Sequence, residues 1–134
     1  MASYPGNAVF SHATGRCIAA VGSRNSVATA GTRLEIWDCV GGSWQKVDLR
    51  SDDTARMYGL CMEIAHGSQD DGAVVQLAKC NGSWYQEFHI NSSNDLVNTR
   101  IGKCVDVRDN GTSNGTMLQL WTCTGADNQK WSEA

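Results

Sequence analysis

Three cysteine pairs, Cys17/Cys39, Cys61/Cys80 and Cys104/Cys123, fall one to each third of the chain. The first cysteines of successive pairs stand 44 and 43 residues apart and the second ones 41 and 43, and Gln45, Gln86 and Gln129 keep the same steps. Three copies at a period near 43 residues limit the fold more than any local propensity does, because each copy must bury its apolar face against the others. Six cysteines admit about fifteen pairings, and only pairing within each copy treats the three thirds alike. Each bridge then closes a loop of roughly 20 residues, a contribution of about 3 kcal/mol in the chain-entropy picture. Zinc is the competing use of cysteine, but no Cys-x-x-Cys occurs and His12, His66 and His89 do not neighbour the cysteines. Disulfides imply an oxidising, extracellular setting.

Within the copies the hydrophobic pattern has period two. The first copy runs Gly15-Arg16-Cys17-Ile18-Ala19-Ala20, then Leu34-Glu35-Ile36-Trp37-Asp38-Cys39, then Trp44-Gln45-Lys46-Val47. The second runs Gly59-Leu60-Cys61-Met62-Glu63-Ile64, then Val75-Gln76-Leu77-Ala78-Lys79-Cys80, then Tyr85-Gln86-Glu87-Phe88. The third runs Gly102-Lys103-Cys104-Val105-Asp106-Val107, then Leu118-Gln119-Leu120-Trp121-Thr122-Cys123, then Asn128-Gln129-Lys130-Trp131. Short alternating runs between Gly, Asn, Asp and Ser clusters read as strands and hairpin turns, and helix periodicity is absent almost everywhere. Alternation assigns Leu34/Ile36, Val75/Leu77 and Leu118/Leu120 to the core face, and Glu35/Trp37, Gln76/Ala78 and Gln119/Trp121 to the other. Val47, Phe88 and Trp131 follow the recurring glutamine and are expected around a shared axis. Pseudo-threefold closure removes exposed sheet edges; a tandem solenoid would need distinct capping repeats.

A chain of 134 residues fits one all-β domain, 1–134, with repeats at about 6–48, 49–91 and 92–134. A net charge of −3 gives no basic surface for nucleic acid or an anionic membrane. No apolar run reaches the roughly 18 residues of a membrane span. The stretch Met1-Ala2-Ser3-Tyr4-Pro5-Gly6 lacks the basic and apolar regions of a signal peptide.

The cysteine placement, the three Gln-x-(Trp/Val/Phe) closers and the Cys-Val-Asp-Val…Leu-Gln-Leu-Trp…Asn-Gln-Lys-Trp series together resemble the ricin B-type lectins and the family 13 carbohydrate-binding modules. The resemblance covers nearly the whole chain. It implies a β-trefoil, with six strands in a barrel capped by three hairpins, and a sugar-binding function.

The residue types of the third copy suit that chemistry independently. A carboxylate accepts from two neighbouring sugar hydroxyls with charge-assisted strength, an aromatic ring covers a face of C–H groups, and amides match a hydroxyl's double role as donor and acceptor. Asp106, Trp121, Gln119 and Asn128 supply this set, and Gln119 and Trp121 point the same way from one strand. The resemblance implies these same roles residue by residue, with Gln129 bracing Asp106 or touching the sugar and the Val107-Arg108-Asp109 turn lining the rim. Galactose-type sugars are the expected ligand.

The other copies depart from this set. In the first, Ala19 replaces the carboxylate and Trp44 the Asn, while Glu35 offers a carboxylate from the other strand. In the second, Glu63 is one methylene longer, Ala78 removes the ring and Tyr85 replaces the Asn. One competent site per chain is therefore expected, with agglutination requiring a dimer. A xylan-, glucan- or arabinan-binding module of a secreted glycoside hydrolase is the alternative, with a catalytic domain as further partner.

Catalysis within the chain is not expected, since Asp52-Asp53 and Asp70-Asp71 are adjacent loop acids and no nucleophile has a base partner. A protease-inhibitor or cytokine-like trefoil would not need the Asp/Gln/Trp/Asn set. No metal or cofactor is called for by these contacts. N-glycosylation sequons stand at Asn81, Asn91, Asn110 and Asn114, the last two placed beside the proposed site.

Overall fold

In a computed structural model, residues 4–134 are described; Met1–Ser3, part of the stretch read above for a leader, lie outside them. Twelve short strands form: β1 Val9–Ser11, β2 Cys17–Ala20, β3 Leu34–Trp37, β4 Asp48–Leu49, β5 Ala55–Met57, β6 Leu60–Ile64, β7 Val75–Ala78, β8 Phe88–Ile90, β9 Leu96–Asn98, β10 Cys104–Val107, β11 Leu118–Trp121 and β12 Trp131–Glu133. They make three antiparallel four-stranded sheets, in the orders β4-β5-β6-β7, β8-β9-β10-β11 and β12-β1-β2-β3. The third sheet joins the last strand of the chain to the first three, with Phe10 opposite Ser132. That pairing closes the repeat on itself, and the fold is the β-trefoil.

The threefold relation extends to the backbone between copies. Gly31 N–H donates to the Leu77 carbonyl, Gly72 N–H to that of Leu120 and Gly115 N–H to that of Ile36, at 2.7, 2.7 and 2.8 Å. Each acceptor residue returns a bond, Leu77 to Thr32, Leu120 to Ala73 and Ile36 to Thr116. The loop of every copy is thus stitched to the second hairpin strand of the next. Gly31, Gly72 and Gly115 carry φ of +94°, +92° and +91°, a region that L side chains rarely adopt, so the three equivalent turns depend on glycine.

The parity expected from the sequence holds. Leu34, Ile36, Val75, Leu77, Leu118 and Leu120 are all buried in one core, joined by Val47, Phe88 and Trp131. Trp131 also donates its indole N–H to the Val105 carbonyl at 3.0 Å, which satisfies the polar atom that a buried tryptophan brings with it. The disulfides are Cys17–Cys39, Cys61–Cys80 and Cys104–Cys123, with Cα–Cα distances of 5.2, 5.1 and 5.1 Å. Each bridge ties the first residue of one hairpin strand, or its neighbour, to a cysteine two residues beyond the end of the other.

The recurring glutamine is a structural bolt. Gln45, Gln86 and Gln129 are each 1% exposed. Their Oε1 atoms accept from the backbone N–H groups of Val40 and Gly41, of Asn81 and of Thr124 respectively. Their Nε2 groups donate to the carbonyls of Asp38, Lys79 and Thr122. Each glutamine therefore pins the segment that follows its hairpin, and a buried side chain with these partners saturated is costly to lose.

Candidate functional site

The third hairpin, β10 and β11, places Asp106 directly opposite Gln119. Two residues further along β11, Trp121 leaves the core parity and is 39% exposed. The chain after β10 turns through Asp109 and Asn110, both at positive φ (53° and 54°), a conformation that Asp and Asn tolerate better than other residues with side chains. Asn128 stands behind this turn and donates its side-chain amide to the Val107 carbonyl at 3.3 Å. Asp106, Val107, Arg108, Asp109, Asn110, Gln119, Trp121 and Asn128 thereby converge on a cleft of about 380 Å³, whose remaining wall is Gly72 of the second repeat.

Asp106 is only 5% exposed. Gln129 Nε2 donates to its Oδ2 from below at 3.4 Å, while Oδ1 is buried with no hydrogen-bond partner. Burial pushes the Asp106 carboxyl up to about 6; the Gln119 and Gln129 amides pull it down, and the charges of Asp71 and Asp109 push it further up. A buried acceptor left without a donor carries a desolvation cost, and a pair of vicinal hydroxyls is the kind of donor that removes it.

All four of Asp106, Gln119, Trp121 and Asn128 line the cleft, and Gln129 lies beneath it as a brace, not on its surface. Three features escaped the reading of the sequence. Gly72 comes from the neighbouring copy, and a Cβ there would meet nothing within 4 Å. Asp71 beside it accepts from the Thr122 backbone N–H and hydroxyl at 2.8 and 3.0 Å and pairs with Lys103 at 3.1 Å, clasping the strand end that carries Trp121. Asn110 lines the cleft, whereas Asn114 does not: its amide accepts from Arg16 and the Asp38 backbone and donates to the Asp38 carboxylate, at the junction with the first repeat. The steps of 41 and 43 residues between Gly31, Gly72 and Gly115, the same as between the second cysteines, were the available signal for the first of these.

The equivalent positions elsewhere are built differently. In the second copy Gln76 and Gln86 donate to the two Glu63 oxygens at 2.9 and 3.0 Å, so the longer carboxylate is saturated from within. Tyr85 lies against the turn at Gly67, where an added Cβ would stand 3.0 Å from its ring. In the first copy Ala19 faces Glu35 across the strands. Trp44 is buried, edge-on to Trp37 at 5.9 Å between ring centroids, and Arg24 lies over its ring.

The β-trefoil thus brings an exposed ring and a buried carboxylate together in one cleft. The chain belongs to the family described as the ricin-type beta-trefoil lectin domain, whose profile matches residues 6–131. Serine protease 1 of Rarobacter faecitabidus is 45% identical over 107 residues, 80% of this chain but 20% of the relative, so the chain spans about a fifth of that relative's length. The designed three-fold symmetric protein ThreeFoil superposes with a TM-score of 0.80 at 21% identity, covering 93% of this chain and 94% of that one. A non-toxic homologue of type II RIPs from Momordica charantia, solved in complex with α-methyl-D-galactoside, superposes at 0.83 with 19% identity, covering 96% of this chain and 46% of that one. At these identities the structural likenesses establish the fold alone.

Proposed function

We propose that the chain binds galactose-type sugars through one competent site, the cleft of the third repeat, and is itself non-catalytic. The observation that carries this is Asp106 Oδ1, a buried acceptor without a donor at the foot of a cleft whose wall is the exposed ring of Trp121. Two adjacent hydroxyls of a pyranose bond the carboxylate, its C–H face lies on the indole, and Asn128 and Gln119 supply amides at the edge. Gln129 holds the carboxylate from below. The first and second copies lack this combination: Ala19 carries no acceptor, and Glu63 is already bonded on both oxygens.

A single site of this kind binds in the millimolar range, about −4 kcal/mol. Function then rests on a second attachment point, either a dimer partner or a larger protein that carries the module. The second option is favoured by the relative named Serine protease 1, in which the matching segment is a fifth of the length. The three disulfides fit a secreted protein.

The test is retention of wild type and Asp106→Ala on immobilised galactose, beside a glycan array and pull-downs on xylan, glucan and arabinan. Wild type is retarded and the variant, folded by circular dichroism, is not. Retention that survives Asp106→Ala removes the assigned site, and capture by the polysaccharides without galactose binding transfers the function to the module of a polysaccharide-degrading enzyme.

A further inference from the structure

We infer that a second cleft, in the second repeat and next to the first, binds an anionic group of a glycan, a uronic-acid carboxylate or a sulfate ester, through Arg33. This cleft, of about 450 Å³, is lined by Gly31, Arg33, Ala65, His66, Ser68, Gly72, Ala73, Val74 and Gln76. The threefold relation makes it the second copy's counterpart of the first cleft, with Gly31, Ala65, His66 and Gln76 answering to Gly72, Arg108, Asp109 and Gln119, but with different side chains at its centre. Glu63, Ala78 and Tyr85, the counterparts of Asp106, Trp121 and Asn128, are not among its walls, and Tyr85 lies against Gly67.

Arg33 has no counterpart in the other copies. The isolated bridges Arg33–Gln76, Val74–Gln119 and Met117–Glu35 make Arg33, Val74 and Met117 equivalent positions around the threefold axis. Two are apolar, and the third carries a guanidinium into a cleft. Arg33 Nε is buried without a hydrogen-bond partner, and Arg33 enters none of the ion pairs formed among the described residues. A buried guanidinium N–H with nothing to donate to is expensive, and an anion that accepts from the planar fork relieves that cost. Of the carboxylates on neighbouring elements, Glu63 is committed to its two glutamines and Asp71 to Thr122 and Lys103, while Asp70, in the segment 68–72, is exposed to solvent. Gln76 and His66 add polar side chains to the same wall.

Gly72 lines both clefts, so the two adjoin across one residue that has no side chain. A neutral galactose-type unit in the first and an acidic unit of the same glycan in the second would sit side by side. This last step rests on the sugar-binding reading of the first cleft; the anion site itself does not.

The experiment is NMR titration of the whole chain with glucuronate, glucose 6-sulfate, glucose and lactose. Glucuronate or the sulfate shifts the Arg33 Nε–H, His66 and Gln76 resonances, glucose does not, and raising NaCl to about 0.5 M weakens the effect at least threefold. Arg33→Gln abolishes these shifts while lactose still perturbs the Trp121 indole. The sulfate arm against the glucuronate arm identifies which anion is preferred. Absence of any anion-dependent shift at Arg33 Nε–H in wild type, a reading that needs no variant, overturns the proposal, as does a response unchanged in folded Arg33→Gln. Failure of lactose alone, with the anion response intact, counts against the first cleft and not the second.

Discussion

Asp106→Asn separates what the cleft needs from what the fold prefers. Folding buries the Asp106 carboxyl and moves its titration from 3.8 to about 6. A raised acid pKa means that the folded state holds its proton more tightly than the unfolded chain. The ionised side chain therefore opposes folding; the cost is absent below pH 3.8, grows between 3.8 and about 6, and is fully present above. At about 1.36 kcal/mol per unit the shift corresponds to about 3 kcal/mol. Asparagine has nearly the same shape and no charge, and it gives up the long 3.4 Å contact from Gln129 and the pull of the Gln119 amide on the carboxylate, together worth about 1 kcal/mol. The variant should therefore be about 1–3 kcal/mol more stable than wild type at pH 7.5, or roughly 3–10 °C in Tm for a domain of this size. The gain should vanish as the pH falls and become a loss of about 1 kcal/mol at pH 3.5, where only the missing contacts count, while galactose binding is lost at every pH. Differential scanning calorimetry of both proteins from pH 3.5 to 8 reads the whole curve. A variant less stable than wild type at pH 7.5, or a gain that does not change with pH, would refute the argument that Asp106 is held ionised at a cost to the fold.

Three further outcomes follow from the same geometry. Lactose affinity of wild type, followed by tryptophan fluorescence, should be level from pH 7 to 8 and fall about tenfold per unit below about 6, because the sugar needs the carboxylate that acid neutralises; an affinity that is flat down to pH 5 would contradict this. Trp121→Ala should weaken binding about tenfold, about 1.4 kcal/mol, and leave Tm nearly unchanged, since the ring is 39% exposed and outside the core. Gln45→Ala should cost about 2–3 kcal/mol, because two backbone N–H groups and a carbonyl lose their partner, yet leave lactose affinity unaltered in the fraction that folds; a parallel loss of affinity would tie the first repeat to the site.

The fold was legible because its determinants repeat. Leu34/Ile36, Val75/Leu77 and Leu118/Leu120 announce their face by alternation, and the cysteine and glutamine steps announce three equivalent copies. That the residues singled out on β10, on β11 and before Gln129 line one cleft was legible for the same reason, since a residue that departs from a repeat stands out. Contacts between copies were hidden. Gly72 and Asp71 belong to the second repeat but serve the third, and that relation exists only once the loop of one copy bonds to the strand of the next. Asn114 illustrates the converse: it is near Asn110 in sequence, but the turn between them sends it to Arg16 and Asp38. The role of Gln129 needed burial to decide it, because a glutamine common to all three copies reads equally well as brace or ligand.

The cradle that makes Asp106 available is the one that disarms Glu63. In both copies a glutamine on the second hairpin strand lies across from the carboxylate, Gln119 from Asp106 and Gln76 from Glu63, and the recurring glutamine approaches from below. With the longer glutamate, both oxygens reach a glutamine, at 2.9 and 3.0 Å. With the shorter aspartate one contact lengthens to 3.4 Å and the other oxygen is left without a donor. One methylene thus separates a carboxylate that stabilises its own repeat from one that leaves an unmet acceptor in a cleft. Glu63→Asp alone should then free an acceptor in the second copy at a cost in stability, without conferring lactose binding, because Ala78 provides no ring and Tyr85 still covers the turn. Adding Ala78→Trp and Tyr85→Asn should create a second lactose site of comparable affinity, giving each chain the two attachment points that agglutination needs. Measured stoichiometry of two in the triple variant and one in Glu63→Asp would establish that the unmet carboxylate needs the ring and amide beside it. A stoichiometry of two in Glu63→Asp alone would show that the unmet carboxylate suffices.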